Sequence, residues 1–392
     1  MTATRDGVSS PAALGLQLVS TLWALAVVPL SLLLLVVAAT WDGRCFAFAA
    51  LLTGLLPLAG SAAWATRRRI WRDCTVGGSV LWLVASSLVL WRAPTGVGPP
   101  GSRIAHVSGD GRAKFQRYAL GNLLPEVDQL MLGFTIMPAF DPILTSFEAS
   151  RLKQVTAAIY AELERNPDFH ALGSVMPEAY SEILGRRFAR GHCYVYVPSS
   201  LDRTRPSPVL VFFHGSGGCF KAYLWILSKV ADRAGCVLVA PSHGFGNWQG
   251  SSSNAALESA LAAASRFAAI DQTRVHLAGL SNGGLAVSQL AAARGSQFRS
   301  LIFLSPVFDE RQISGSSFAQ QCRGRSVLVL TGEADDRVPL GYVEENVAAM
   351  TRAGAGAHLT AVAAADHFLF FSHRELVINA LESWLQESRR AP

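Results

Sequence analysis

Charge is scarce in this 392-residue chain: Asp, Glu, Lys and Arg make up 16% of it, against roughly 25% in an average soluble domain. Half of the residues are apolar, which excludes a disordered chain, and the length and composition together exclude one ordinary soluble domain. The deficit is local. Leu14 to Thr40, Cys45 to Ala65 and Cys74 to Trp91 contain no charged residue, whereas charge recurs regularly from Arg92 onward. Zinc-ligand spacing, an H-E-x-x-H pair and a nucleotide-binding glycine fingerprint are all missing from the sequence, so neither a metal nor another cofactor is implied. No internal repeat and no low-complexity tract interrupts the chain. A basic stripe is missing too. Of the net charge of +6, +4 belongs to residues 1–92, where Arg44, Arg67, Arg68, Arg69, Arg72 and Arg92 flank the apolar runs. That distribution argues against nucleic acid as a partner.

The three charge-free runs are expected to be membrane helices, because about 20 apolar residues cross a hydrocarbon core roughly 30 Å thick. The third run is the shortest and contains Gly77-Gly78, so two spans plus a surface helix is the competing arrangement. A cleaved signal peptide fits the first run less well, since signal h-regions are about 7 to 15 residues behind a positive segment. Arg67, Arg68, Arg69 and Arg72 lie between the second and third runs. The positive-inside bias puts that loop in the cytoplasm and, with three spans, everything after Arg92 on the extracytoplasmic side of a multi-pass membrane protein. Trp23, Trp41, Trp64, Trp82 and Trp91 lie in or beside the runs, several near their ends, as an interfacial belt requires.

Three regions follow from this reading: a membrane anchor over 1–92, a linker and helical leading or lid region over 93–190, and a globular domain over 191–392. Residues 93–102 are rich in Gly and Pro and read as a linker. Helical stretches are expected around Phe147 to Leu163 and Pro177 to Arg187. Between them and the linker, Leu120 to Leu144 is apolar but broken by Pro125, Pro138 and Pro142. It suits a membrane-resting cover, a lid, or packing against the next domain.

From Cys193 onward, short continuously apolar runs alternate with helix-length stretches. The runs are Cys193 to Val197, Val209 to Phe213, Cys236 to Ala240, Val275 to Ala278, Leu301 to Leu304, Val327 to Leu330 and Leu359 to Val362. Continuous apolarity marks strands buried on both faces. The intervening segments Tyr223 to Ala234, Asn254 to Ala269, Gly283 to Arg294 and Tyr342 to Ala353 suit crossover helices. The fold class predicted is α/β, a doubly wound, mostly parallel sheet preceded by an all-α transmembrane region.

Ligands bind beyond the carboxyl ends of such strands, and the residues there carry chemistry. Gly279-Leu280-Ser281-Asn282-Gly283 follows one strand and opens a helix, the context in which G-x-S-x-G forms a nucleophile elbow. A serine hydroxyl needs an imidazole to take its proton and a carboxylate to fix that imidazole's tautomer. In elbow proteins the acid and then the histidine follow the serine along the chain. Of the late histidines, His358 leads into a strand, His373 opens the last helix, and His367 lies in the loop after the final strand, which makes it the base. In Gly332-Glu333-Ala334-Asp335-Asp336 the glycine lets the chain turn off the strand and Asp335 is the acid, with Asp336 in reserve and Asp366 too close to His367. An ordinary solvated turn is the alternative reading of Asp335-Asp336.

The oxyanion of acyl transfer needs preorganised N–H donors. The strand ending at Phe213 runs into His214-Gly215-Ser216-Gly217-Gly218; one donor is expected from Ser216 or Gly217 and the other from Asn282. Phosphate cradling is the other use of such a loop, but no Gly-Lys-Ser/Thr follows and Lys221 is misplaced for it. His214, Gly215, Phe245 and Trp248 are candidate substrate-binding residues. Cys45 and Cys74 border the spans. Cys193, Cys219, Cys236 and Cys322 allow three pairings, although Cys193 and Cys236 fall in expected strands, where free thiols are common.

The HGSGG loop, the GLSNGG elbow, the G-x-x-D-x-x-V-P stretch and the late histidine, in that order, resemble the α/β-hydrolase superfamily over about residues 191–388. The elbow and Ala240-Pro241-Ser242-His243 are similar to dienelactone-hydrolase-like, polyhydroxybutyrate-depolymerase-like and feruloyl-esterase-like members. The resemblance implies Ser281 as nucleophile, Asp335 as acid, His367 as base and Gly215 to Gly217 as the oxyanion loop. The expected function is a membrane-anchored serine hydrolase of a small-molecule or lipid carboxylic ester. A serine peptidase of the same fold and a non-catalytic hydrolase-like binding module are the alternatives.

Overall fold

The computed structural model describes residues 11–108, 115–174, 176–185, 192–246, 248, 250 and 252–390. The chain divides into two compact units: one comprises Met1–Ala93 and Leu123–Met137, the other Pro94–Asn122 and Pro138–Pro392.

The first unit contains α1 (Pro11–Val37), α2 (Trp41–Thr66) and α3 (Arg69–Arg92), helices of 27, 26 and 24 residues that are long and apolar enough to cross a membrane. At 1.5 Å per residue each exceeds the thickness of a hydrocarbon core. Leu18, Leu25, Val36, Leu83 and Trp91 stay exposed on them, surface that water penalises and lipid does not. Thr40 caps α2, its hydroxyl accepting the Gly43 amide at 2.9 Å. Buried Asp128 on α5 (Glu126–Ile136) in turn accepts the amides of Ala39 and Thr40 at 2.6 and 3.1 Å and the Thr40 hydroxyl at 2.5 Å. One carboxylate thus satisfies the polar groups of the α1–α2 turn, which otherwise lack acceptors. Arg92 at the end of α3 pairs with Asp42 in the first turn of α2.

The second unit is built on an eight-stranded sheet: β1 (Ile104–Ser108), β2 (His192–Tyr196), β3 (Ser207–Phe213), β4 (Val237–Ser242), β5 (Ile270–Leu280), β6 (Ser300–Leu304), β7 (Ser326–Gly332) and β8 (Gly356–Val362). Their order is β1-β2-β4-β3-β5-β6-β7-β8. β2 runs antiparallel to both neighbours and every other pairing is parallel. The seven strands expected from the apolar runs are all present, at positions shifted by a few residues at most. β1 was not expected. It is a five-residue edge strand from the leading region, paired in register with β2 from Ile104 against Tyr196 to Ser108 against His192.

Parallel strands require crossovers, and α9 (Lys221–Ala234), α10 (Ser252–Ala264), α11 (Gly283–Arg294) and α14 (Leu340–Arg352) supply the long ones, while α16 (Arg374–Arg390) follows the last strand. The short helices are α4 (Leu120–Leu123), α7 (Pro167–His170), α8 (Met176–Ile183), α12 (Glu310–Ile313), α13 (Ser316–Cys322) and α15 (Leu369–Ser372), beside the longer α6 (Ser146–Leu163). β3, β4 and β6 are buried along their whole length, and Val209, Val211, Val239, Leu277, Leu301 and Val329 form part of the core against α10, α11 and α14. Cys193, Cys219, Cys236 and Cys322 are buried and form no disulfide among the described residues; burial pushes the thiols of Cys193 and Cys322 up to about 12.

Candidate active site

β5 ends at Leu280 and α11 begins at Gly283, so Ser281 and Asn282 make the turn between them. Ser281 adopts φ +49°, in the left-handed region, which costs a residue with a Cβ about 1 to 2 kcal/mol. Three bonds hold it there: its amide donates to Leu304, and its carbonyl accepts from Gly284 and Val307, each at 2.9 Å. Crowding explains the glycines. A Cβ on Gly279 would lie 2.4 Å from the Gly283 carbonyl oxygen, and one on Gly283 would lie 2.0 Å from that of Phe213.

The Ser281 hydroxyl lies 3.1 Å from Nε2 of His367, and Nδ1 of His367 lies 2.8 Å from Oδ2 of Asp335. A buried carboxylate on one side fixes the tautomer: Nδ1–H donates to Asp335, and the lone pair on Nε2 faces the hydroxyl proton. The other oxygen of Asp335 accepts the amides of Arg337 at 3.0 Å and Val338 at 2.8 Å, so a carboxylate that is 3% exposed has its lone pairs engaged. Gly332 permits this closeness, because a Cβ there would stand 2.1 Å from the carbonyl oxygen of Ala365, two residues before the histidine. Asp336 is exposed and takes no part. His358 packs edge-on to Trp384, and His373 bonds Ser372.

Of the two expected loop donors, Gly217 is engaged, its amide donating to the Phe245 carbonyl at 2.9 Å. The amides of Ser216 and Asn282 have no acceptor among the described residues. A side-chain bond from Nδ2 of Asn282 to Oγ of Ser216, 2.6 Å long, ties the two loops together.

His214 and Trp248 are not substrate-facing. Both are 0% exposed, and they brace the loop from beneath. Nε2 of His214 accepts the His243 amide at 3.0 Å, so the ring proton sits on Nδ1, which donates to the Gly215 carbonyl at 2.7 Å. Burial pulls His214 down to about 4, leaving it neutral as both bonds require. The indole N–H of Trp248 donates to the His214 carbonyl at 2.8 Å, while its ring stacks on His243 and meets Phe213 edge-on. Gly215 is buried within this loop, and Phe245 is 39% exposed beside it.

Four residues at this edge of the sheet were not anticipated. Glu182 on α8 accepts the Phe245 amide at 2.5 Å and so joins the leading region to the 244–246 turn. Asp141 meets Arg337, and Arg151 meets Asp366. Lone charges in or next to an apolar stretch were the available signal for Asp141 and Arg151; their partners leave none. Among the described residues no cluster of His, Cys, Asp and Glu is arranged to hold a metal ion.

No protein-family model matches this sequence, and no curated relative does. Solved structures that the chain resembles include a thermostable esterase, at 17% identity and a TM-score of 0.40, with 50% of this chain aligned to 58% of that one. Esterase 2 of Thermogutta terrifontis, phosphorylated by paraoxon, is 18% identical with a TM-score of 0.41 over 50% of this chain and 88% of that chain. Est1E from Butyrivibrio proteoclasticus is 18% identical with a TM-score of 0.41 over 52% and 96%. The chain therefore spans a little under three fifths of the first of these and most of the other two. Independently of those likenesses, the strand order, the single reversed strand β2 and the sharp serine turn after β5 make the second unit an α/β-hydrolase fold.

Proposed function

We propose that this chain is a membrane-anchored serine hydrolase that cleaves carboxylic esters through an acyl-enzyme. The supporting observation is the continuous path from Ser281 Oγ to His367 Nε2 to Asp335 Oδ2, in bonds of 3.1 and 2.8 Å, beside two unengaged backbone amides.

In this reading His367 takes the Ser281 proton as Oγ attacks the ester carbonyl, and Asp335 stabilises the imidazolium without itself being protonated. The carbonyl oxygen becomes an oxyanion facing the amides of Ser216 and Asn282, donors of a kind worth roughly 2.7 to 4 kcal/mol each. His367 then protonates the leaving alcohol, and the acyl group stays on Ser281. Water enters and loses a proton to His367 as its oxygen attacks the acyl carbon; His367 then returns that proton to Ser281 Oγ as the acyl–oxygen bond breaks and the carboxylic acid leaves. No step draws on a cofactor.

The assignment of regions follows the same proposal: α1 to α3 anchor the chain, the sheet unit performs hydrolysis, and the catalytic unit lies on the extracytoplasmic side. The test is a p-nitrophenyl ester series of rising acyl length set beside peptide amides. Ester turnover by the wild type, with loss in Ser281→Ala, supports the reading; equal turnover of esters and amides contradicts the ester preference.

A further inference from the structure

Asp335 and His367 stand on two loops, each with a charged residue close by in sequence: Arg337 two positions after the acid, Asp366 one before the base. Both are paired to one short stretch of the leading region. Asp141 Oδ2 accepts from Nη2 of Arg337 at 2.6 Å, and Nη2 of Arg151 donates to Oδ2 of Asp366. The four side chains are between 13% and 35% exposed, so solvent and salt screen them less than free surface pairs. Oδ1 of Asp366 also accepts the Phe368 amide at 3.0 Å, and the Arg337 guanidinium lies 5.5 Å from the Phe368 ring centroid.

Arg151 lies on α6, which is fixed at both ends, and Asp141 lies just before its Thr145 cap. Thr145 and Glu148 form a reciprocal capping box at the start of α6, which satisfies two of the helix's orphan amides. Eighteen residues later the far end is fixed as well. Glu162 takes a two-pronged contact from Arg374 of α16 at 2.6 and 3.1 Å, and Glu164 accepts from Lys221 of α9 at 2.7 Å. At 1.5 Å per residue α6 is a strut of about 27 Å, anchored on α9 and α16 and reaching the loops that bear the acid and the base.

We propose that Asp141 and Arg151 are positioning residues, holding the Asp335 and His367 loops in register through Arg337 and Asp366. The proposal rests on the serine-hydrolase reading. Neither residue touches the reacting atoms; both act through a neighbour of one that does. Loss of the brace frees the two loops to shift, and a misplacement of about 1 Å costs catalysis as much as about 100-fold.

The charged groups bonded to His367 or to the residues next to it and to Asp335 are Asp335 itself, Asp366 with its partner Arg151, and Arg337 with its partner Asp141. Their signs give a readout that a purely structural role would not produce. In Arg151→Gln the carboxylate of Asp366, next to His367 in sequence, is left uncompensated; this favours the protonated ring and moves the acid limb of kcat/KM to higher pH. In Asp141→Asn the Arg337 cation is uncompensated, and the limb moves to lower pH.

The experiment measures kcat and KM against pH for an ester substrate in the full-length wild type, Arg151→Gln, Asp141→Asn, the conservative variants Arg151→Lys and Asp141→Glu, and Ser281→Ala. The expected result is a loss of roughly 10- to 100-fold in kcat for the two neutral variants, opposite displacements of the acid limb, and rescue by the conservative ones. Wild-type kcat with an unmoved limb in both neutral variants overturns the brace alone, as do displacements in the same direction. Undiminished turnover in Ser281→Ala overturns the serine-hydrolase reading and the brace with it.

Discussion

The amide of Gly217 donates to the carbonyl of Phe245 at 2.9 Å, which withdraws it from the edge of the site and leaves the neighbouring Ser216 amide open. In the proposed mechanism the loop after β3 supplies the Ser216 amide as one donor, and Asn282, just before α11, supplies the second. The side-chain bond between Asn282 and Ser216 sets the spacing of the two.

That bond predicts a coupled pair. Ser216→Ala and Asn282→Ala each keep their backbone amide but lose the tie, so kcat/KM should fall about 5- to 10-fold, the equivalent of one hydrogen bond near 1 kcal/mol. The double variant should be little worse than either single one, and a double-mutant cycle on kcat/KM checks it. Fully additive losses would show that the tie does not position the donors.

His214 predicts a pH dependence of stability. Its folded-state value is lowered to about 4 from 6.5 by burial, so between those values the unfolded chain binds more protons than the folded one. Stability is fully present above about pH 6.5 and falls as the pH drops toward 4, by about 3 kcal/mol for this residue alone. Half-buried His106, lowered to about 3 by desolvation and by neighbouring His192, adds a slope of the same sign. Melting temperatures of wild type and His214→Gln between pH 4 and 8 check this, and the variant should have a shallower acid slope.

Gly332→Ala tests the closeness of the acid and base loops. The added methyl would meet the Ala365 carbonyl oxygen at 2.1 Å, and relief of an overpacked contact typically costs 1 to 3 kcal/mol. Because the atoms that must yield are backbone next to His367, ester turnover should fall by more than the loss in folded protein explains. Activity per folded molecule, normalised by near-UV circular dichroism, separates the two effects.

The first unit predicts firm membrane retention. With three helices of membrane-crossing length and composition, the full chain should stay in the pellet after an alkaline carbonate wash and dissolve only in detergent. A reporter fused after Pro392 should be active on the extracytoplasmic side. Cytoplasmic activity would contradict the three-span arrangement.

What was legible in the sequence was local. Ser281 stands in a strand, turn and helix that five consecutive residues specify, and the buried parallel strands announce themselves by unbroken apolarity, as Val209 to Phe213 does. β1 escaped because five residues of an edge strand, Ile104 to Ser108, carry no such run, and their identity as a strand depends on β2 lying alongside. The partnership of Gly217 with Phe245 depends on how two loops meet. Asp141 with Arg337 and Arg151 with Asp366 are separated by 196 and 215 positions, and pairing across such distances leaves no periodicity to read. Trp248 shows the same limit: an aromatic just beyond a strand end suits a pocket wall, and only the bond from its indole to the His214 carbonyl reveals a support.

The most direct test of the account is treatment of the full-length protein with a fluorophosphonate, followed by peptide mapping. The account predicts a single covalent adduct on Ser281, formed quickly in the wild type, slowly in His367→Ala and not at all in Ser281→Ala. An adduct on another residue, or none on a protein shown to be folded, would contradict it.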